Sequence, residues 1–314
     1  MEKENRFAAS VEADGEEASL NAKPALAFIV NPVAGSGRCI SLFERAKAVF
    51  EAKKAKFECF FTESPGHAEK LAADALLRGV KTIVAVGGDG TVREVASALC
   101  EKGAALGILP FGTGNDLASA LSIPTEPEAA AELILSGEAK ATDLGRANGR
   151  VFTNVCGLGF DADVLARTEK HKKGRTGMLP YLLGIVDAVL HKRKIRAHIS
   201  IDGGAEQELD ALIITACNGR RFGGGMLVAP DAKYDDGLFD ICMAKYLGFF
   251  RLITLLPCFI KGKHINKKQV IYTRAERITV RTDGENTVQL DGELIEKTPL
   301  VCEIVKNAVR VFRP

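Results

Sequence analysis

Residues 83–91, Ile83-Val84-Ala85-Val86-Gly87-Gly88-Asp89-Gly90-Thr91, run an apolar strand directly into three glycines and an acid, and a helical spacing from Val92 to Leu99 follows at once. That order of residues builds a seat for phosphate. Glycines let the backbone adopt φ > 0 and let a bulky ligand approach the chain closely. The amides of the turn and of the following helix N-terminus then point at an arriving anion. A second Gly-rich loop, Pro110-Phe111-Gly112-Thr113-Gly114-Asn115-Asp116, follows the short apolar segment Leu106 to Leu109. Two such loops at strand ends point to nucleotide phosphates far more strongly than either does alone.

Outward from this stretch, the chain alternates strand and helix. Ala25 to Val30 is a continuous apolar run, as expected of a strand buried on both faces. The turn Asn31-Pro32-Val33-Ala34-Gly35-Ser36-Gly37 follows, then helical spacing from Ile40 to Lys53. A second strand, Phe57 to Phe61, ends at Thr62-Glu63-Ser64-Pro65-Gly66; helices are expected over residues 67–78 and from Glu126 to Leu135. The alternation predicts an α/β domain, a parallel sheet with helices on both faces, whose ligands bind beyond the carboxyl ends of the strands. Around residue 140 the character changes. Val151 to Val155, Ile195 to Ile201, Asp210 to Ala216, Leu238 to Met243, Gln269 to Tyr272, Arg277 to Arg281 and Thr287 to Leu290 read as strands joined mainly by turns, with two apolar helical insertions. The expected organisation is an acidic disordered tail over 1–22, an α/β domain over 23–138 and a β-rich antiparallel domain over 139–314. The last strand, Leu300 to Val305 with Arg310 to Phe312, is a candidate to return to the first domain.

Composition narrows the classes. The 314 residues are 46% apolar and 26% charged, as in soluble globular proteins, and a net charge of +2 carries no nucleic-acid signature. The longest apolar windows, Met178 to Leu190 and Leu247 to Ile260, are interrupted by Pro180, Asp187, Arg251 and Pro257. Both fall short of the roughly 20 apolar residues that span a bilayer. No basic-then-apolar leader opens the chain, and the eight cysteines show neither C-x-x-C nor zinc spacing. Reduced thiols and a cytoplasmic location are expected.

The Walker A pattern is absent and neither Gly-rich loop completes G-x-G-x-x-G, which disfavours a P-loop NTPase or a dinucleotide-binding dehydrogenase. The alternative is a nucleotide site built from backbone amides, the hydroxyls of Ser36, Thr62, Thr91 and Thr113, and a metal. Asp89 and Asp116 are the nearest acids for Mg²⁺. Asp89 also suits a turn residue that satisfies local amides.

Asn31-Pro32 with Gly35-Ser36-Gly37, Gly87 to Thr91 with Glu94, and Pro110 to Asp116 together resemble the diacylglycerol kinase catalytic domain. Gly157-Leu158-Gly159-Phe160-Asp161-Ala162, Gly223 to Met226 with Ala229 to Ala232, Asp235-Asp236-Gly237 and Asp291-Gly292-Glu293 extend the likeness to the soluble bacterial lipid kinases of that family, from about residue 24 to the C-terminus. The G-G-D-G-T element alone is unspecific, being similar to NAD kinase and phosphofructokinase loops; P-x-G-T-G-N-D joined to it is specific. The resemblance implies a fold like that of NAD kinase and phosphofructokinase, with ATP and an acceptor hydroxyl meeting in an interdomain cleft. It implies ATP contacts from Asn31, Pro32, Gly35, Ser36, Thr62, Gly87, Gly88, Asp89, Gly90, Thr91, Val92 and Thr113, with Asn115 and Asp116 beside them. Glu293 is the expected proton acceptor and Asp291 its partner. The resemblance also implies a structural Mg²⁺ on Asp236 and the carbonyls of Lys233 and Leu238, where a metal-free solvated hairpin is an equal alternative.

Two departures stand out: Arg93 where many relatives carry Asn, and Ser119 where many carry Arg. Arg93 suits either a phosphate contact or the exposed face of its helix. Cations flank both apolar windows: Arg167, Lys170, Lys172, Lys173 and Arg175 before the first, Lys192, Arg193, Lys194 and Arg196 after it, and Lys261, Lys263, Lys267 and Lys268 after the second. This pattern fits either two core-packed helices or a transient contact with an anionic membrane. The sequence therefore predicts an ATP- and Mg²⁺-dependent lipid kinase acting on diacylglycerol or a related membrane lipid. An NAD or other small-molecule kinase and a non-catalytic, nucleotide-regulated lipid-binding protein are the alternatives. The acceptor lipid and the oligomeric state stay open, a homodimer among the options.

Overall fold

Strand β1 (Leu26–Val30) is buried at every position, and its two faces feed different cores. Leu26, Phe28 and Val30 pack with α1 (Cys39–Ala52) and α5 (Pro127–Ser136), while Ala27 and Ile29 pack with α2 (His67–Leu77) and α3 (Asp89–Leu99). Period-two alternation of a strand covered on both sides requires this split. On the first face Phe28 sits edge-on to Phe43, Phe50 and Phe57, with ring centroids 4.9–5.3 Å apart. The computed structural model describes residues 26–171, 179–221 and 226–314. The expectations for the 1–22 tail, for Lys172, Lys173, Arg175 and Met178, and for Gly223 to Gly225 lie outside the described residues.

The remaining elements of the first half are β2 (Phe57–Phe61), β3 (Thr82–Gly87), β4 (Ala105–Pro110), the short α4 (Asp116–Ala120) and a single 3-10 turn at Ala34–Gly37. The strands run parallel in the order β2-β1-β3-β4. The order reverses at β1, so the loops after β1 and β3 open a crevice at the carboxyl edge, where ligands of such sheets bind.

The second half is antiparallel and β-rich. It contains β5 (Ala139–Ala147), β6 (Arg150–Phe152), β7 (Val155–Gly159), β8 (Ile195–Ile201), β9 (Gln207–Cys217) and β10 (Phe239–Lys245). It continues through β11 (Val270–Ala275), β12 (Arg277–Thr282), β13 (Thr287–Leu290), β14 (Glu293–Lys297) and β15 (Leu300–Phe312). Helices α6 (Phe160–His171), α7 (Leu179–Leu190) and α8 (Phe249–Ile260) are inserted between strands. The segment read from sequence as one strand, Val151 to Val155, breaks at Thr153-Asn154 into β6 and β7. The cause is tertiary: the Asp291 carboxylate takes the amides of Thr153, Asn154 and Val155. Strand β5 and helix α6 were not expected. Helix α6 carries few large apolar residues, Phe160, Val164 and Leu165, among polar ones, and β5 forms because β15 offers it a long antiparallel partner.

The final strand joins the halves. Instead of two short pieces, Leu300–Phe312 is continuous, with a register shift between Val305 and Val309. Its first part pairs antiparallel with β12, and its end pairs parallel with β4 at Arg310↔Ala105 and Val311↔Leu106. Val311 is fully buried in the core shared with β4 and α3. Truncating it with Val311→Ala is expected to cost about 2 kcal/mol. Urea unfolding followed by circular dichroism should show one transition moved to lower denaturant, because both halves share this strand.

Candidate active site

Three loops at the carboxyl edge are held so closely that only glycine fits. Gly35 has φ 59°, and a Cβ there would lie 2.3 Å from the Phe111 carbonyl oxygen. A Cβ on Gly112 would lie 2.2 Å from the Gly88 Cα. The loops after β1, β3 and β4 therefore meet backbone to backbone. The Asn31 amide donates to the Val86 carbonyl (2.9 Å) and its side chain to Thr91 Oγ1 (3.2 Å), while the Phe111 amide reaches the Gly87 carbonyl (2.9 Å). Glu94 accepts from the amides of Gly66 (2.8 Å) and Ala68 (3.1 Å), which ties the fourth loop, Thr62 to Gly66, to helix α3.

Asn31, Thr62, Gly90, Thr91 and Glu94 line a cleft of about 290 Å³, together with Glu293 from the other half. Pro32, Gly35 and Ser36 belong to the turn beside it, with Ser36 exposed. Not every residue expected at the nucleotide faces this cleft. Val92 turns its side chain into the core and its amide back to the Gly88 carbonyl. Thr113 is exposed on the neighbouring loop, and Asn115, at φ 55°, closes that loop on itself by bonding both the amide and the carbonyl of Gly112. Asp89 Oδ1 accepts from the Asp116 amide at 2.7 Å, so this acid clasps the two Gly-rich loops together. Burial raises its pKa, against the lowering effect of the amides it accepts. A divalent cation would offset such a desolvated charge, so Asp89 fits Mg²⁺ arriving with a nucleotide.

The acidic turn divides its labour. Asp291, at φ 49°, accepts from Thr153 N (2.6 Å), Thr153 Oγ1 (2.9 Å), Asn154 N (2.8 Å) and Val155 N (3.0 Å). With both oxygens so engaged, Asp291 anchors the turn. Glu293, two residues on, has a side chain 51% exposed and crosses to helix α3, where Arg93 Nη2 donates to its Oε2 at 2.6 Å. Arg93 is only 12% exposed, so it does not lie on the outer face of its helix. Ser119 is exposed on α4.

The Asp235-Asp236-Gly237 turn carries its own ion pairs. Asp236 accepts from the Leu238 amide (3.2 Å) and pairs with Arg274, while Asp235 pairs with Arg313 (2.9 Å). One carboxylate and two carbonyls suit a hard cation, but here the Arg274 guanidinium already supplies the positive charge. A Mg²⁺ at this turn must displace it. Among the described residues, no group of three or more His, Cys, Asp or Glu converges as a metal site.

Sequence reading missed a buried polar scaffold behind the turn. Tyr234 donates to Asn154 Oδ1 (2.5 Å), and Asn218 donates to the carbonyls of Asp143 and Thr153 (2.9 and 2.8 Å). Asp143 accepts from the amides of Gly237 and Asn307, both at 2.7 Å. The available signal was polar residues set within apolar strands, such as Gln289 between Val288 and Leu290. Gln289 donates to Asp161 Oδ2 (3.1 Å) and accepts from the Gly292 amide (2.9 Å). It thereby links the acidic turn to Asp161, in the wall of an apolar cavity of about 60 Å³ lined by Phe160, Tyr181, Ile185, Leu252 and Leu256. Asp161 is 4% exposed, its Oδ1 has no hydrogen-bond partner, and burial raises its pKa to about 7.

Two outcomes are expected. Gly112→Ala forces the Gly-rich loops apart and should weaken ATP binding at least tenfold by titration calorimetry, because the loop amides lose their common aim. An acid with a folded-state pKa above its unfolded value binds a proton more tightly when folded, so the Asp161 carboxylate costs stability above pH 7. That cost lapses as pH falls from about 7 toward 4. Asp161→Asn should therefore raise Tm at pH 8, by an amount worth about 1–4 kcal/mol, and change it little at pH 4.5.

Comparison with known proteins agrees with this architecture. The family described as "Diacylglycerol kinase catalytic domain" matches residues 25–147, and the "YegS C-terminal NAD kinase beta sandwich-like domain" matches residues 154–313. A diacylglycerol kinase of Mycobacterium tuberculosis is 31% identical over 292 residues, covering 91% of this chain and 94% of its own. One of Bacillus subtilis is 33% identical over 272 residues, covering 85% and 88%. A crystal structure from Bacillus anthracis assigned to a diacylglycerol kinase superposes with a TM-score of 0.78 at 27% identity, over 93% of this chain and 97% of the other. An NAD kinase from Archaeoglobus fulgidus in complex with ATP, at 13% identity, TM-score 0.50 and coverage of 92% and 93%, shares the fold alone. The α/β domain with its carboxyl-edge loops, the antiparallel β-rich partner and these likenesses together show that the chain belongs to the diacylglycerol kinase catalytic-domain family of lipid kinases.

Proposed function

We propose that this kinase transfers the γ-phosphoryl group of ATP to a hydroxyl of diacylglycerol or a closely related lipid, giving phosphatidic acid or its analogue. The observation that carries the reading is the shared cleft: Glu293 of the β-rich half and Gly90 of the phosphate seat line one cavity. The amides at the start of α3, with the hydroxyl of Thr91, face the anionic end of the nucleotide. Glu293 takes the proton of the lipid hydroxyl as that oxygen bonds to phosphorus and the bond to the departing ADP breaks. Asp291 holds the turn that presents Glu293. Mg²⁺ bound with the nucleotide would spread the charge of the transferring group, with Asp89 the acid suited to hold it.

The acceptor's chemistry is supported by the surface around α7 and α8. Their inner sides line the apolar cavity that Gln289 links to the acidic turn. Their outer sides leave Leu182, Val186, Leu190, Phe250 (83% exposed), Ile253 and Ile260 in solvent, and Lys261, Lys263, Lys267 and Lys268 follow α8. Apolar residues fringed by cations suit a peripheral seat on an anionic bilayer, at about 1 kcal/mol per cation near the surface. None of the described helices is long and apolar enough to cross a membrane.

In mixed micelles of diacylglycerol with radiolabelled ATP, Glu293→Gln should lower kcat by about 10²–10⁴-fold while ATP affinity stays within a factor of about two. A variant that keeps most of the rate removes Glu293 from the role. Asp291→Asn should act differently, lowering stability by about 1–3 kcal/mol as its amide donors lose a charged acceptor. Presenting NAD beside the micelles separates lipid from small-molecule phosphorylation.

A further inference from the structure

Arg93 occupies a position that neither the phosphate seat nor the acidic turn explains by itself. It lies three residues after Gly90 on α3, so the two share one helix face about 4.5 Å apart along the axis. Glu293 rests across that face. Its Oε1 lies 3.3 Å from where a Gly90 Cβ would be, and its Oε2 receives Arg93 Nη2 at 2.6 Å. Gly90 lets the carboxylate approach the helix, and Arg93 closes over it. The guanidinium is almost fully covered, and its Nε–H is buried without an acceptor. A covered cation with one donor unmet is costly unless an anion faces it, and Glu293 is that anion. Glu94, the next acid on the helix, is turned away to the amides of Gly66 and Ala68.

We propose that Arg93 is a positioning residue for Glu293, tying the tip of the acidic turn to the helix whose first turn seats the phosphates. The role rests on Glu293 being the proton acceptor. Asp291 fixes the root of the turn through four hydrogen bonds, but Glu293 beyond it stands on an exposed hairpin with several free rotors. Arg93 removes that freedom from the opposite wall of the cleft. Because Arg93 and the phosphate-seating amides belong to one helix, α3 sets the final placement of the carboxylate against the phosphates once the shared sheet has brought its turn to the cleft. Engaging Oε2 leaves Oε1, on the Gly90 side, directed at the cleft where the acceptor hydroxyl must lie. A misplacement of about 1 Å at such a centre costs about 10²-fold in rate.

The test compares Arg93→Gln, Arg93→Lys, Glu293→Gln and the double variant Arg93→Gln with Glu293→Gln, each in the full chain. The readouts are kcat with diacylglycerol micelles, ATP affinity by calorimetry, and thermal unfolding to verify folding. Arg93→Gln should lose about 10–100-fold in kcat with ATP affinity within about twofold, and Arg93→Lys should recover part of the loss. The double variant should be no slower than Glu293→Gln alone, since a residue that acts through another adds nothing once the other is gone. Losses that multiply, or an Arg93→Gln enzyme at full rate, overturn the proposal. So does ATP affinity that falls in step with the rate, which would put the guanidinium on phosphate. Should Arg93→Gln fail to fold, Arg93→Lys alone and with Glu293→Gln carries the same comparison. If Glu293→Gln stays active, the base assignment itself falls and the positioning role with it; if Glu293→Gln is inactive and Arg93→Gln is not, only the positioning role falls.

Discussion

Gly88 and Gly112 meet with no side chain between them, and the candidate site is arranged around that contact. A Cβ on Gly112 would land 2.2 Å from the Gly88 Cα, and one on Gly35 would land 2.3 Å from the Phe111 carbonyl oxygen. Close approach is what brings the loops after β1, β3 and β4 into one rim. It also brings Asp89 near enough to take the Asp116 amide, so the clasp between loops is electrostatic as well as steric. Without it, the amides at the start of α3 would face solvent singly instead of jointly.

A rim of amides seats an anion but offers nothing to activate an acceptor. The residue proposed for that role, Glu293, comes from the β-rich half, and β15 brings its turn to the cleft. One continuous strand pairs with β12 at its start and with β4 at its end, so the two halves share a sheet and are not merely tethered. Hydrogen bonds of a shared sheet fix relative placement far more tightly than a flexible linker does. Asp143 reinforces the join from beside β15, accepting from the amides of both Gly237 and Asn307. The acidic turn therefore arrives at the cleft in a defined place.

The interior behind that turn holds a cluster of buried polar side chains. Asn154, Asn218, Tyr234 and Gln289 are all buried and each makes a side-chain hydrogen bond, with Asn218 Oδ1 left without a partner. Networks of this kind rigidify a site when complete and are costly when broken. At the cavity wall the Asp161 Oδ1 also has no partner, and the burial of this carboxyl is opposed by its charge. The stability forgone there lies at the junction between an apolar cavity and the acidic turn, which is where proteins commonly tolerate such a cost for function.

The sequence by itself determined what depends on local chemistry. Continuous apolar runs such as Leu26–Val30 marked the buried strands, glycine clusters after Val86 and Leu109 marked the loops, and the motifs in those loops resemble those of the family. Periodicity and turn composition act over a few residues, so they survive in a single sequence. What only the tertiary structure decided depends on pairs remote along the chain. Thr153-Asn154 breaks a strand because Asp291 claims its amides, β5 exists because β15 lies beside it, and Asp291 became an anchor while Glu293 stayed available. Arg93 could not be placed from its own neighbours, since helix position fixes a direction but not a partner. Its covered guanidinium acquires meaning only from a carboxylate contributed by the other half, and such a long-range electrostatic pairing has no local signature to read.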